Sequence, residues 1–187
     1  MQKTLAKCAV LGGIVVFIWG IVSWMVLPWH ASSFNKFTNE MAVAEAIQQN
    51  APQSGLYLLP NLFSNSNASK DQMQQGMNMM NNGPVVFASV QVNGVNQQSM
   101  LGPMVLALVM QIIGAGIVTW MLLQTKALDF RKRVGFVTLF GFAIGWLGML
   151  PEWNWWGFAG SYVVMGIIDL VIGWFLAGLV IARCMRK

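Results

Sequence analysis

Apolar residues fill four long stretches of this chain, and the polar residues are gathered into the intervals between them. Charge is missing between Lys7 and His30, between Arg133 and Glu152, and across most of 101–123 and 153–182, where Asp169 is the one interruption. A helix of about 20 apolar residues crosses a hydrocarbon core roughly 30 Å thick with its backbone groups paired internally. The pattern therefore predicts an all-α integral membrane protein, a four-helix transmembrane bundle with spans at 8–29, 101–124, 134–151 and 158–182.

The interval 30–100 is the one polar stretch long enough to form a module. Ser32 or Ser33 can cap a helix over about 33–49, because Phe34, Phe37, Met41, Ala44 and Ile47 recur at helical spacing. Pro52 and Gly55 end it. Short strands are expected at 56–59 and at 85–92, the second closed by the turn-forming pair Asn93-Gly94. Between them, 61–83 is rich in Asn, Ser, Gln and Met and reads as a flexible loop. One helix and two strands bury too little surface to offset their ordering entropy, so this α+β segment should lie on the spans, the membrane or a partner.

Composition agrees with a membrane protein. Hydrophobic residues make up 56% of the 187 residues and charged ones 9%, where a soluble domain carries roughly a quarter. The net charge of +5 becomes informative once it is distributed along the chain. Four spans alternate sides, so 1–7, the basic loop 125–133 and 183–187 share one side and hold nine of the 11 Lys and Arg residues. The positive-inside rule makes that side cytoplasmic, with 30–100 and the Trp-rich turn 152–157 outside. The expected location is the cytoplasmic (inner) membrane of a bacterium. The basic fringe is expected to meet anionic lipid headgroups, with no nucleic-acid role. The first span is too long for a cleaved signal core and carries Trp19, Trp24 and Trp29, so it reads as an anchor.

Asp169 is the principal candidate for chemistry. A carboxylate inside a span is costly and faces the bundle interior or water, with a partner. Gly166 and Gly173 share its helical face with Tyr162, and small residues admit a neighbouring helix. Gln111 sits about as far into the second span as Asp169 sits into the fourth, roughly 15 Å at 1.5 Å per residue, and is the expected partner. The pair either packs helices together or holds a ligand, ion or proton.

Two further groups stand apart from it. Glu152, Trp153, Trp155 and Trp156, opposite Trp29 and His30, are expected to anchor in the headgroup layer or to form a contact surface for the outer segment or a ligand headgroup. Met73, Met77, Met79 and Met80 supply soft thioethers of the kind that bind Cu(I), the one metal the sequence suggests. Cys8 and Cys184 lie near the cytoplasmic span ends and form no C-x-x-C pair. No P-loop, nucleophile elbow or zinc-binding H-x-x-x-H pattern occurs, so an enzyme is not expected.

The residues thus point to a non-enzymatic accessory or scaffold protein that contacts a membrane protein partner, a second copy of itself or lipid on its outer face. Binding and transport of a small molecule, lipid, ion or proton through Asp169 is the alternative. Copper binding by the Met cluster is a lesser one.

Overall fold

The computed structural model describes residues 2–63, 69–95, 99–125 and 128–185. In chain order its elements are α1 (Gln2–Ile21) with a π-helical turn over Val22–Val26, α2 (Glu40–Asn50), β1 (Gly55–Leu59), α3 (Lys70–Asn82), β2 (Val86–Val90), α4 (Leu101–Gln124), α5 (Phe130–Trp156) and α6 (Gly160–Cys184). They divide into two compact units, Met1–Asn35 with Gln98–Lys187, and Lys36–Gln97.

The first unit is a helical bundle. Its four helices, α1 with its π turn, α4, α5 and α6, are long and apolar enough to cross a membrane. Many of their large apolar side chains stay uncovered by protein, including Leu101, Val105, Ile113, Leu139 and Leu147. In water such a surface would aggregate, whereas lipid tails cover it without penalty. Association then depends on close approach, and glycines supply it. A Cβ on Gly13 would lie 2.5 Å from the Ile112 Cα, and one on Gly141 2.6 Å from the Trp174 Cβ. Thus α1 lies between α4 and α6, while α5 runs along α6. Cys8, Val16, Ala115, Val118, Leu122, Val137, Trp174, Ala177 and Ile181 form the buried core.

Neighbouring helices run antiparallel, and their register is offset. Gly12 faces Ile181 and Gly173 faces Trp19, so Val26, at the end of the first span, is level with about Gly166. The α5–α6 hairpin therefore projects beyond α1 by about six residues, or roughly 9 Å. One end of the bundle carries Trp24, Trp29, Trp153, Trp155 and Trp156, and the other carries Lys3, Lys7, Arg131, Lys132, Arg133 and Arg183. They are called the tryptophan end and the basic end below.

Helix α5 is longer than the 134–151 span expected. Asp129 caps it by accepting from the Lys132 N–H at 2.8 Å. Pro151 lies inside it, and the chain stays helical to Trp156 before Gly157 stops it at φ 68°. The missing Pro151 N–H costs one bond close to the helix end, which the helix tolerates. The Trp-rich sequence is accordingly the last turn and a half of a helix rather than a loop.

The second unit pairs β1 with β2 antiparallel, from Gly55 opposite Val90 to Leu59 opposite Val86. Two expectations fail here. Helix α2 starts at Glu40, because the Asn39 carboxamide accepts from the Ala42 N–H at 3.0 Å, so Phe34 and Phe37 precede the helix. Residues 70–82 of the expected loop form α3, capped by a reciprocal pair in which Ser69 Oγ accepts from the Gln72 N–H and Gln72 Oε1 from the Ser69 N–H. Met and Gln are good helix formers, and the capping box nucleates them. Residues 64–68 of that loop, 96–98, Lys126, 127, Arg186, Lys187 and Met1 lie outside the described residues.

Gly13→Ala should destabilise the detergent-solubilised protein by about 1–3 kcal/mol, since the obstacle is backbone. Gly148→Ala, which meets nothing within 4 Å, should leave thermal unfolding unchanged. Equal melting of the two variants would refute the packing assignment.

Candidate functional site

The site grows out of the way α1 ends. Pro28 has no N–H and pushes Leu27 into extended geometry (φ −86°, ψ 136°). The Leu27 N–H bonds back to the Val22 carbonyl at 3.1 Å, one residue further than in an α-helix, and the last turn widens to π. The Ser23 carbonyl would next accept from residue 28, which cannot donate. Trp29 fills that gap, its indole N–H reaching both the Ser23 carbonyl and Ser23 Oγ at 3.1 Å. Ser32 Oγ donates to the Trp29 carbonyl at 2.7 Å and closes the turn.

This folding back carries His30 into the bundle. Its ring is buried, joined to the fully buried Ser23 by a 2.9 Å hydrogen bond between Nε2 and Oγ, and stacked on Trp24 with centroids 3.9 Å apart and planes 5° from parallel. From α6, Asp169 faces the same ring, with Oδ2 3.6 Å from His30 Nε2. The Trp19 indole N–H donates to Asp169 Oδ1 at 2.6 Å and to the Asp169 carbonyl at 3.1 Å. Gly173 makes this possible, since a Cβ there would come within 2.8 Å of Trp19 Cδ1. Asp169, Trp19, His30, Ser23 and Trp29 thus form one network joining α1, the turn after it and α6.

Gln111 takes no part in it. No hydrogen bond links Gln111 to Asp169 among the described residues, and the expected pair is corrected to Asp169 with Trp19 and His30. The reason is vertical offset. Gln111 adjoins Ile112, which abuts Gly13, six residues or about 9 Å along α1 from Trp19. Counting from each helix start assumed that the helices begin at one level, whereas α6 overshoots α1. Asp169 is level with Ser23, three residues from the end of the first span, and lies near the tryptophan end rather than mid-bundle.

Tyr162 does line the site. Together with Trp24, His30, Met149, Gly166, Asp169 and Leu170 it surrounds a cavity of about 170 Å³. Its ring is braced by Phe34 and Phe158, at centroid distances of 6.1 and 5.8 Å. The other expected contact residues separate into two groups. Trp29 and His30 belong to the Asp169 network, while Glu152, Trp153, Trp155 and Trp156 lie on the last turn and a half of α5 with the three rings exposed.

Three of the four Met residues share one helix face and the fourth does not. On α3, Met73, Met77 and Met80 fall within about 60° of one another, and Met79 is turned some 100° or more away. Met73 and Met79 border a groove with Leu62, which packs over Gly76. At the basic end Cys8 is buried and Cys184 packs against the same cluster, both as free thiols.

Ser23, His30 and Asp169 have the composition of a hydrolase triad without its geometry. In a triad the carboxylate orients one ring nitrogen and the hydroxyl meets the other. Here both oxygens face Nε2, and the hydroxyl is already engaged by Trp29. Sequence reading missed Trp19, Ser23 and Trp24. A polar residue four positions after Trp19 and seven before the lone histidine is the signal that pointed there. No family model, curated protein or solved structure matches the chain.

Trp19→Phe and Asp169→Asn should each destabilise the bundle, and their effects should be non-additive by about 1 kcal/mol in thermal unfolding. Gln111→Ala should have a much smaller effect. Additive single effects, or a Gln111 variant as damaging as the Asp169 one, would remove the network from the account.

Proposed function

We propose that the protein is a non-enzymatic accessory or scaffold protein of the cytoplasmic membrane, both termini inside, that presents the 36–97 unit to a protein partner on the outer face. The observation that carries this reading is where the buried polar network lies. Polar groups in a bundle are costly, and two of the buried ones, Ser23 and His30, meet the partly buried Asp169 at the point where the chain leaves α1. Such a network holds the end of α1 against α6.

The chemistry of α2 favours a protein over a lipid surface. The helix buries none of its residues, and Met41, Ala44 and Ile47 form an uncovered apolar strip. Helices that lie on membranes carry Lys and Arg on their polar face. Helix α2 has Glu40 and Glu45 and no basic residue, so anionic headgroups would repel it. A second copy of the chain is one form the partner can take. The orientation rests on the basic end and the positive-inside rule.

An impermeant maleimide should label Asn78→Cys in intact cells and Arg131→Cys only after lysis; the reverse pattern would invert the orientation. A photo-crosslinking residue at position 41, 44 or 47 should give one common adduct, and the same group at Ala46, on the opposite side of α2, should not. In an Asp169→Asn background that adduct should fall several-fold. Equal labelling at all four positions, or none at any, would defeat the scaffold reading.

A further inference from the structure

The cavity beside Asp169 has more in it than a packing contact requires. The carboxylate is held through one oxygen, since Oδ1 accepts the Trp19 N–H at 2.6 Å. Its other oxygen, Oδ2, has no hydrogen bond among the described residues; His30 Nε2 stands at 3.6 Å and is engaged with Ser23 Oγ at 2.9 Å. Every Lys and Arg among the described residues of the bundle lies at the basic end, so no ammonium or guanidinium of the bundle's own reaches this carboxylate.

Asp169 shares the lining of the cavity with three aromatic side chains, Trp24, His30 and Tyr162, and with Met149, Gly166 and Leu170. Trp24 and Tyr162 both line the cavity, and each is pre-positioned, Trp24 by its stack on His30 and Tyr162 by Phe34 and Phe158. Trp24 is 53% exposed, so part of its ring stays open at the cavity rim. Aromatic faces beside a carboxylate are the surroundings that attract an organic cation.

We propose that this cavity binds a primary ammonium group, carried either by the ethanolamine headgroup of a phospholipid or by a small free amine. Size sets the first limit. A space of about 170 Å³ takes a headgroup fragment and not a whole drug-sized ligand. Hydrogen bonding sets the second. Oδ2 needs an N–H donor, which a primary ammonium has and a trimethylammonium lacks, whereas the aromatic attraction is available to both. Discrimination between ethanolamine and choline chemistry therefore falls to Asp169. Position agrees with a lipid source, because Asp169 is level with Ser23, close to the end of the first span and below the tryptophan-rich overhang of α5 and α6.

The test uses the full-length protein in mild detergent, incubated with equal amounts of phosphatidylethanolamine and phosphatidylcholine of matched acyl chains, with bound lipid read by native mass spectrometry. Retention of the ethanolamine lipid should exceed that of the choline lipid roughly tenfold, as one charge-assisted hydrogen bond implies. Asp169→Asn should bring the two to parity. Trp24→Leu, which leaves the Trp19 bond in place and costs only the stack on His30, should lower retention of both lipids several-fold with a smaller loss of melting temperature than Asp169→Asn, and it decides the matter if the Asp169 variant does not fold. Free ethanolamine and choline, added in the absence of lipid with thermal stabilisation as the readout, separate the sources. Stabilisation by ethanolamine without lipid selectivity assigns the site to a soluble amine, and lipid selectivity without it assigns the site to the phospholipid. No preference for a primary ammonium over its trimethylated counterpart in either format, or a preference that both variants retain, overturns the proposal.

Discussion

Pro28 cannot donate a hydrogen bond, and much of what distinguishes this bundle follows from that deficit. In water the exposed Ser23 carbonyl would take a solvent molecule at little cost. At the edge of an apolar bundle it must find a donor in the protein. The π turn over Val22–Val26 moves one N–H backward, Trp29 turns its indole inward to cover the carbonyl, and His30 is carried along into the interior. Asp169 on α6 then has something to face. A local backbone problem in the first helix becomes the link between two helices.

That link works because α1 is already pressed between α4 and α6. Gly13 admits the Ile112 backbone on one side, and on the other Gly12 and Gly173 admit Ile181 and Trp19. Lipid offers no hydrophobic force between helices, so contact distance and a few polar bonds decide the arrangement. Closely spaced glycines fix the depth of the helices relative to one another, and the Trp19 to Asp169 bond fixes their rotation. Each helps the other, since the indole reaches the carboxylate only where residue 173 has no side chain.

The four apolar runs, the acid inside the fourth and the close packing implied by Gly166 and Gly173 were legible in the sequence because each is a local property of one helix. The partner of Asp169 was not. Depth counted from a helix start is meaningful only when helices start level, and nothing local announces that α6 overshoots α1. Helix α3 was hidden for a different reason: Asn and Gln suggest disorder by composition, while the Ser69 and Gln72 capping box, visible in the chain, outweighs them. Asn39 likewise out-competes Ser33 as a helix start, because its carboxamide finds a free backbone N–H three residues on. Polar residues near an element's end are read best by what they can accept, and less well by how polar they are.

The offset between the two hairpins also relates the protein to the thickness of its surroundings. Where α1 and α6 run side by side, from Cys8 to Val26, the shared length is about 28 Å at 1.5 Å per residue, close to one hydrocarbon core. Beyond it, one overhang carries Lys3 and Lys7 and the other carries the tryptophans of α5. Such a molecule cannot slide along the bilayer normal without dragging lysine or tryptophan into lipid tails. A thicker membrane would have to be met by tilting or by drawing Asp169 and His30 deeper into hydrocarbon, so the stagger makes their polarity around that carboxylate a function of bilayer thickness.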